Sequence, residues 1–278
     1  MRLVTLVLLM VHPFTYVHPN ALLRYLPCMS QLETLMIAFS FSIDHHHDVE
    51  GQLSHMTPIT FPSLLWFGFQ GGSTFMEVFV RRINTPRLRK LKLDFFTRPS
   101  FCVSSLLQFI NTLENLLKFD SVKFNFLKEE VHIVFYPRED PKIYALSIIV
   151  DWWDFNWQVS CVAAGLFSAP SRIFSAVEHL ILEQGSYCRS IDPHYEFSWR
   201  KILKSLSNVE TLHVDEAFVV ELSRSLRLVD GEQPLGLLPE LQELTYSGMG
   251  NPTDAFTSIV DARQNAGRPV TLVYHDKT

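Results

Sequence analysis

The chain has 278 residues, 47% of them apolar and 19% charged, with a net charge of −5 and a pI near 6.1. So much apolar surface excludes a disordered chain, and a negative balance with no concentrated positive field excludes a binder of nucleic-acid phosphates. The four cysteines, Cys28, Cys102, Cys161 and Cys188, form no CxxC pair; that spacing argues against a zinc ribbon or a disulfide framework and fits a reducing compartment, cytoplasmic or nuclear.

In chain order, residues 1–11 form an apolar run behind Arg2 that has the outline of a secretory leader. No small-x-small cleavage site follows, and Leu3, Leu6 and Leu8 have the spacing of a strand, so a strand is expected here. The run is also shorter than the about 20 apolar residues a membrane-spanning helix needs. Asn20 to Leu26 has a capping residue and helical spacing before Pro27, and Leu32–Ile37 is the next strand. A polar loop with His45, His46 and His47 follows; adjacent histidines with no second ligand set read as solvated loop, and no metal is expected.

A strand at Leu64–Phe69 leads into a helix over Ser73–Ile83. A strand at Leu88–Leu93 is followed by a helix over Val103–Ile110. The basic run Arg81, Arg82, Arg87, Arg89, Lys90 and Lys92 reads as a solvated face. Val122–Phe126 and Val131–Phe135 alternate with period two on either side of Leu127–Glu130, the pattern of a β-hairpin. Ile143–Ile148 is a strand, and a helix from about Val159 to Phe167 follows the aromatic segment of Trp152, Trp153 and Trp157. Strands at Val177–Leu182, Val209–Val214 and Leu241–Tyr246 alternate with helices at Glu196–Leu206 and Glu216–Leu226, the latter with Asp215 as its expected cap. A capped helix from Thr253, stopped at Gly267, and a last strand behind Pro269 close the chain.

One phrase unites the strands: an apolar residue, two variable ones, Leu, one variable, then another apolar residue. It stands at Leu32, Leu88, Val177, Val209 and Leu241, and the last three anchors repeat every 32 residues. A weaker copy starts at Leu113. This is the pattern of a leucine-rich repeat, and it predicts an irregular α/β solenoid with a curved parallel sheet on the concave face, helices on the convex face and a hairpin insertion near 122–136. One domain over 1–278 is expected, with irregular repeats over 1–176, regular ones over 177–252 and a cap over 253–278. On the concave face, the positions between the leucines become partner-binding candidates: Trp66, Gln70, Lys90, Lys92, Asp94, His179, Glu183, Thr211, His213, Asp215, Glu243 and Thr245. Their mixed character points to a protein partner rather than a polyanion.

Several stretches carry a family resemblance: Phe61-Pro-Ser-Leu64, Asn156-Trp-Gln-Val-Ser160, Phe174-Ser-Ala-Val-Glu-His-Leu180, Trp199-Arg-Lys-Ile-Leu203, Val219 to Leu226, Leu238-Pro-Glu-Leu-Gln-Glu-Leu244, and Asp254-Ala-Phe-Thr-Ser258 to Gly267-Arg-Pro-Val-Thr-Leu272. In these the chain resembles the leucine-rich region of the F-box-like protein families of mushroom-forming fungi. The resemblance implies a substrate receptor of a cullin-based ubiquitin ligase, in which the F-box grips a Skp-type adaptor and the repeats hold the target. The chain begins inside a repeat strand, with no F-box before it, so either upstream sequence completes it or ligase coupling has been lost; a Skp-type adaptor is expected only with an upstream F-box. The alternative is a secreted recognition protein whose leader is residues 1 to about 18.

No GxGxxG, GxxxxGK[ST], GxSxG or HExxH occurs in the sequence, so nucleotide binding and the commoner hydrolytic sites have no support. A non-enzymatic recognition protein is expected, with no cofactor, no nucleic acid and no membrane among its partners.

Overall fold

The computed structural model describes residues 3–10, 17–40, 58–96, 103–116, 118–151, 155–167, 171–185, 196–227, 235–248 and 255–276. Its strands are β1 (Thr5–Met10), β2 (Thr34–Phe39), β3 (Ile59–Thr60), β4 (Trp66–Gly71), β5 (Ile83–Asn84), β6 (Lys90–Phe96), β7 (Ser121–Phe126), β8 (Glu130–Tyr136), β9 (Leu146–Asp151), β10 (His179–Gln184), β11 (Thr211–Asp215), β12 (Glu243–Gly248) and β13 (Thr271–Asp276). Its helices are α1 (Pro19–Tyr25), α2 (Ser73–Val80), α3 (Ser104–Asn111), α4 (Phe155–Gly165), α5 (Arg172–Ser175), α6 (Glu196–Ser205), α7 (Glu216–Ser225) and α8 (Thr257–Asn265). The loop holding His45 to His47 and the side chains of Trp152, Trp153 and Trp157 lie outside the described residues.

Each full copy of the phrase enters its strand two residues after its first apolar position, and a recurring backbone device fixes that entry. The Glu33 carbonyl accepts the N–H groups of both Leu65 and Trp66, and the Leu65 carbonyl those of Arg89 and Lys90; Asp120 does the same for Glu178 and His179, Glu178 for Glu210 and Thr211, and Glu210 for Gln242 and Glu243. Both lone pairs of one carbonyl are used at each step, so a one-residue slip would orphan two donors and turn the apolar face outward.

The chain divides into two compact units. The first, Met1–Lys118 with Tyr144–Asp151, pairs β1, β2, β4, β6 and β9 in parallel in that order. Alternate residues of its inner strands, among them Leu35, Ile37, Phe67, Phe69, Leu91, Leu93, Ile148 and Val150, are at most 1% exposed, each worth about 1.5–3 kcal/mol of burial. Phe75 of α2 fills the layer beneath them, its ring centroid 4.9 Å from Phe39 and 5.6 Å from Phe69. Buried Glu77 of α2 holds the start of α3: its two carboxylate oxygens accept the N–H groups of Ser105 and Leu106, each at 2.8 Å. That bridge satisfies a buried charge and two orphan helix donors together.

The second unit, Phe119–Ile143 with Trp152–Thr278, runs β8, β7, β10, β11, β12, β13, with β8 antiparallel to β7 and the other pairs parallel. Phe126, Trp199 and Phe218 form a closed aromatic triangle with centroids 5.3–5.7 Å apart. Arg200 closes the end of α7 by donating to the carbonyls of Ser225 and Arg227. At the end of the unit, fully buried Arg263 of α8 donates to the carbonyls of Leu238, Pro239 and Leu241, each at 3.0 Å. Gly267, at φ +74°, turns the chain out of α8 toward β13, a left-handed position that favours glycine.

The leucine-rich-repeat solenoid expected from the phrase is corrected by the strand order. In neither unit does the strand order follow the chain: β6 pairs with β9 in the first, and in the second β7 pairs antiparallel with β8 and parallel with β10, so that sheet is mixed. The cause is the β7–β8 hairpin, whose short turn forces the chain to double back. Val122, Phe124, Phe126, Val131, Ile133 and Phe135, all at most 1% exposed, bury one shared apolar face.

Three local expectations also change. Leu113 and Leu116 are buried in a turn, and the phrase is carried instead by Phe119, Val122 and Phe124, because Ser121 is the residue in register with His179. Helix α2 ends at Val80, and Ile83 joins the short strand β5 against Ile59 of β3. Asp215 occupies the N-cap position of α7, but its side chain makes no capping hydrogen bond; its Oδ2 lies 3.5 Å from the Gln184 N–H. Among the described residues no helix is long and apolar enough to cross a membrane.

Candidate functional site

The alternation that buries Leu180, Leu182, Leu212 and Val214 sends their neighbours to the opposite face of the second unit's sheet. Parallel register lines those neighbours up in rows. Ser121, His179, Thr211, Glu243 and Thr271 make one row; Lys123, Ile181, His213, Thr245 and Val273 make the next. Of the candidates named from sequence, His179, Glu183, Thr211 and His213 are half-buried on this face, and Glu243 is exposed. Asp215 and Thr245, each 9% exposed, are buried and offer a partner little surface.

Trp66, Gln70, Lys90, Lys92 and Asp94 belong to the first unit, where all five are half-buried. Trp66 lies beside Gly68, at which a Cβ would stand 2.4 Å from the indole Cη2, so the glycine is what lets the ring lie along its own strand. Lys90 Nζ sits 4.0 Å from the centroid of the Tyr144 ring, a cation–π contact.

Polar contacts run across these rows of the second unit. Lys123 pairs with Glu183, both about one-third exposed. His179 Nδ1 is 2.7 Å from Thr211 Oγ1, and its Nε2 is 3.2 Å from Arg138 Nη1. A guanidinium only donates, so Nε2 accepts, and Nδ1 carries the proton it donates to Thr211. Asp120 Oδ1 accepts from the Ser121 hydroxyl at 2.8 Å and from the Arg138 N–H at 2.7 Å. Tyr136 is buried beside this row; burial first, then the carboxylates of Glu183 and Asp120, push its phenol above its ordinary value.

Asp120, Lys123, Arg138 and Glu178 were not among the residues singled out from sequence. The signal for the first two was the phrase at Phe119, hidden by the stronger leucines at 113 and 116. No local signal marks Arg138, which reaches His179 only through the hairpin.

No family model, curated protein or solved structure matches this chain. What the face can do therefore follows from its own chemistry: it offers a fixed pattern of donors, acceptors and both charges beside apolar Ile181.

Proposed function

We propose that the chain is a non-catalytic recognition module that takes a protein partner on the face of β7, β10, β11 and β12. The observation that carries this reading is the row structure: side chains of both signs held in place by their neighbours, interleaved with half-buried Ile181, on a sheet whose other face is closed by core. Pre-ordered polar groups around an apolar contact lower the ordering cost of association and reject partners of the wrong pattern. The family resemblance of the C-terminal part gives the partner a role, that of a target held for ubiquitin transfer in the cytosol or nucleus. A Skp-type adaptor belongs to that role only through an F-box.

The test reverses the ion pair in a double variant, Lys123→Glu with Glu183→Lys. The pair is kept and the surface pattern inverted, so the thermal transition is expected to stay put while capture of the native partner falls at least about tenfold. Undiminished capture would sink the reading. Co-purification from the protein's own cells tests the ligase role: Skp-type adaptor and cullin are expected with the target, and the absence of both removes that role.

A further inference from the structure

At the start of β10, one donor atom from each of Asp120, Glu178 and His179 lies within 4.8 Å of the others. The backbone holds the three together, since the Asp120 carbonyl accepts the N–H groups of both Glu178 and His179, at 2.7 and 2.9 Å. Two of the donors are already oriented from behind. Asp120 is fixed through Oδ1 by the Ser121 hydroxyl and the Arg138 N–H, and the His179 ring is fixed by the proton it donates to Thr211. This is the support that ligating carboxylates and imidazoles receive: one edge held by the protein, the other lone pair turned outward.

That outward lone pair, on Nε2, meets a cation in the structure, the exposed guanidinium of Arg138. Glu178 is exposed and free to turn inward. Three acceptors within 4.8 Å of one another, one of them already meeting a cation, are chemically suited to a metal ion.

We propose that Asp120, Glu178 and His179 Nε2 bind a borderline divalent cation of the zinc class, in competition with the Arg138 side chain. One imidazole and two carboxylates favour zinc over magnesium or calcium, which prefer all-oxygen sets. Zinc ligands at about 2.0–2.1 Å stand about 3.3 Å apart in a tetrahedron, so binding draws the donors together and displaces Arg138, movements open to exposed Glu178 and Arg138. Three protein ligands leave the fourth position to water or a partner's side chain.

The experiment is calorimetric titration of the full chain with zinc chloride at pH 7.5, comparing native protein with three single variants. His179→Ala and Asp120→Asn are expected to weaken the site at least about tenfold. Arg138→Gln is expected to strengthen it about tenfold, because it removes a positive charge a few ångströms from a divalent one. An unchanged circular-dichroism spectrum and thermal transition for Arg138→Gln exclude zinc uptake by unfolded cysteines and histidines, and comparison with His179→Ala separates this site from the His45–His47 run. If any one of the three variants keeps the native affinity, the proposal is overturned.

Discussion

Glu221, halfway along α7, is half-buried, and its Oε2 has no hydrogen-bond partner. Burial pushes its carboxyl above the ordinary value, against the opposing pull of its own backbone N–H and of Arg224. The folded chain therefore holds a proton here more tightly than the unfolded chain does. The contribution of Glu221 to stability is largest below the ordinary carboxyl value and is lost as pH rises through the raised one. Glu221→Gln is expected to stabilise the protein at pH 7 by on the order of 1 kcal/mol and to flatten this slope. Urea unfolding at pH 4 and pH 7 checks it, and a native and a variant profile with the same pH dependence would contradict it. Such single-residue environments were only half legible. The face of His179 and Thr211 could be read from alternation, but Asp215 read as a helix cap, and its carboxylate lies instead near the backbone of β10, the strand before its own. The choice between two hydrogen-bond partners belongs to the neighbour, and the neighbour lies 31 residues away.

At the scale of elements, helix α3 begins without a cap of its own; the carboxylate on α2 supplies one. Glu77→Ala is expected to cost about 1–3 kcal/mol, since it leaves two buried N–H groups without an acceptor, and Glu77→Gln less, since one oxygen remains. Chemical denaturation monitored by circular dichroism measures both; equal midpoints for native and Glu77→Ala would remove the bridge as a stabilising element. Elements themselves were largely visible in the sequence. The β7–β8 hairpin stands where period-two alternation flanks Leu127–Glu130, and α7 lies where helical spacing placed it. Helix α2 was read three residues too long, because Ile83 keeps helical spacing with Phe79 and Val80 while its burial is supplied by Ile59 across a two-residue strand pair. The phrase was misplaced at Leu113 because leucines in a turn and leucines in a strand satisfy the same apolar rule.

For the molecule as a whole, stability rests on the apolar layer that each unit closes beneath its own strands. Leu212, 1% exposed in β11 between Leu180 and Leu244 of the flanking strands, tests that dependence. Leu212→Asp is expected to cost about 3–5 kcal/mol, enough to abolish a cooperative thermal transition in a marginally stable protein. Thr271→Asp, on an exposed position of β13, is expected to shift stability by no more than about 0.5 kcal/mol. A similar transition in both variants would mean that the buried layer does not carry the fold.

The sequence by itself determined where the strands and helices lie and which side of each is core, because those properties repeat over two or four residues and every strand must carry its own apolar face. Tertiary structure alone decided that β6 pairs with β9 and β7 with β10. Doubling a connecting loop costs only about 0.6 kcal/mol, and the same alternating pattern accepts any neighbour, so nothing local distinguishes β9 from β7 as the partner of β6. The β7–β8 hairpin, which lies between β6 and β9 in the chain, made that choice. In doing so it carried Arg138 to His179, while the pairing of β7 with β10 set Asp120 beside Glu178, a juxtaposition of residues that no local stretch of the chain contains.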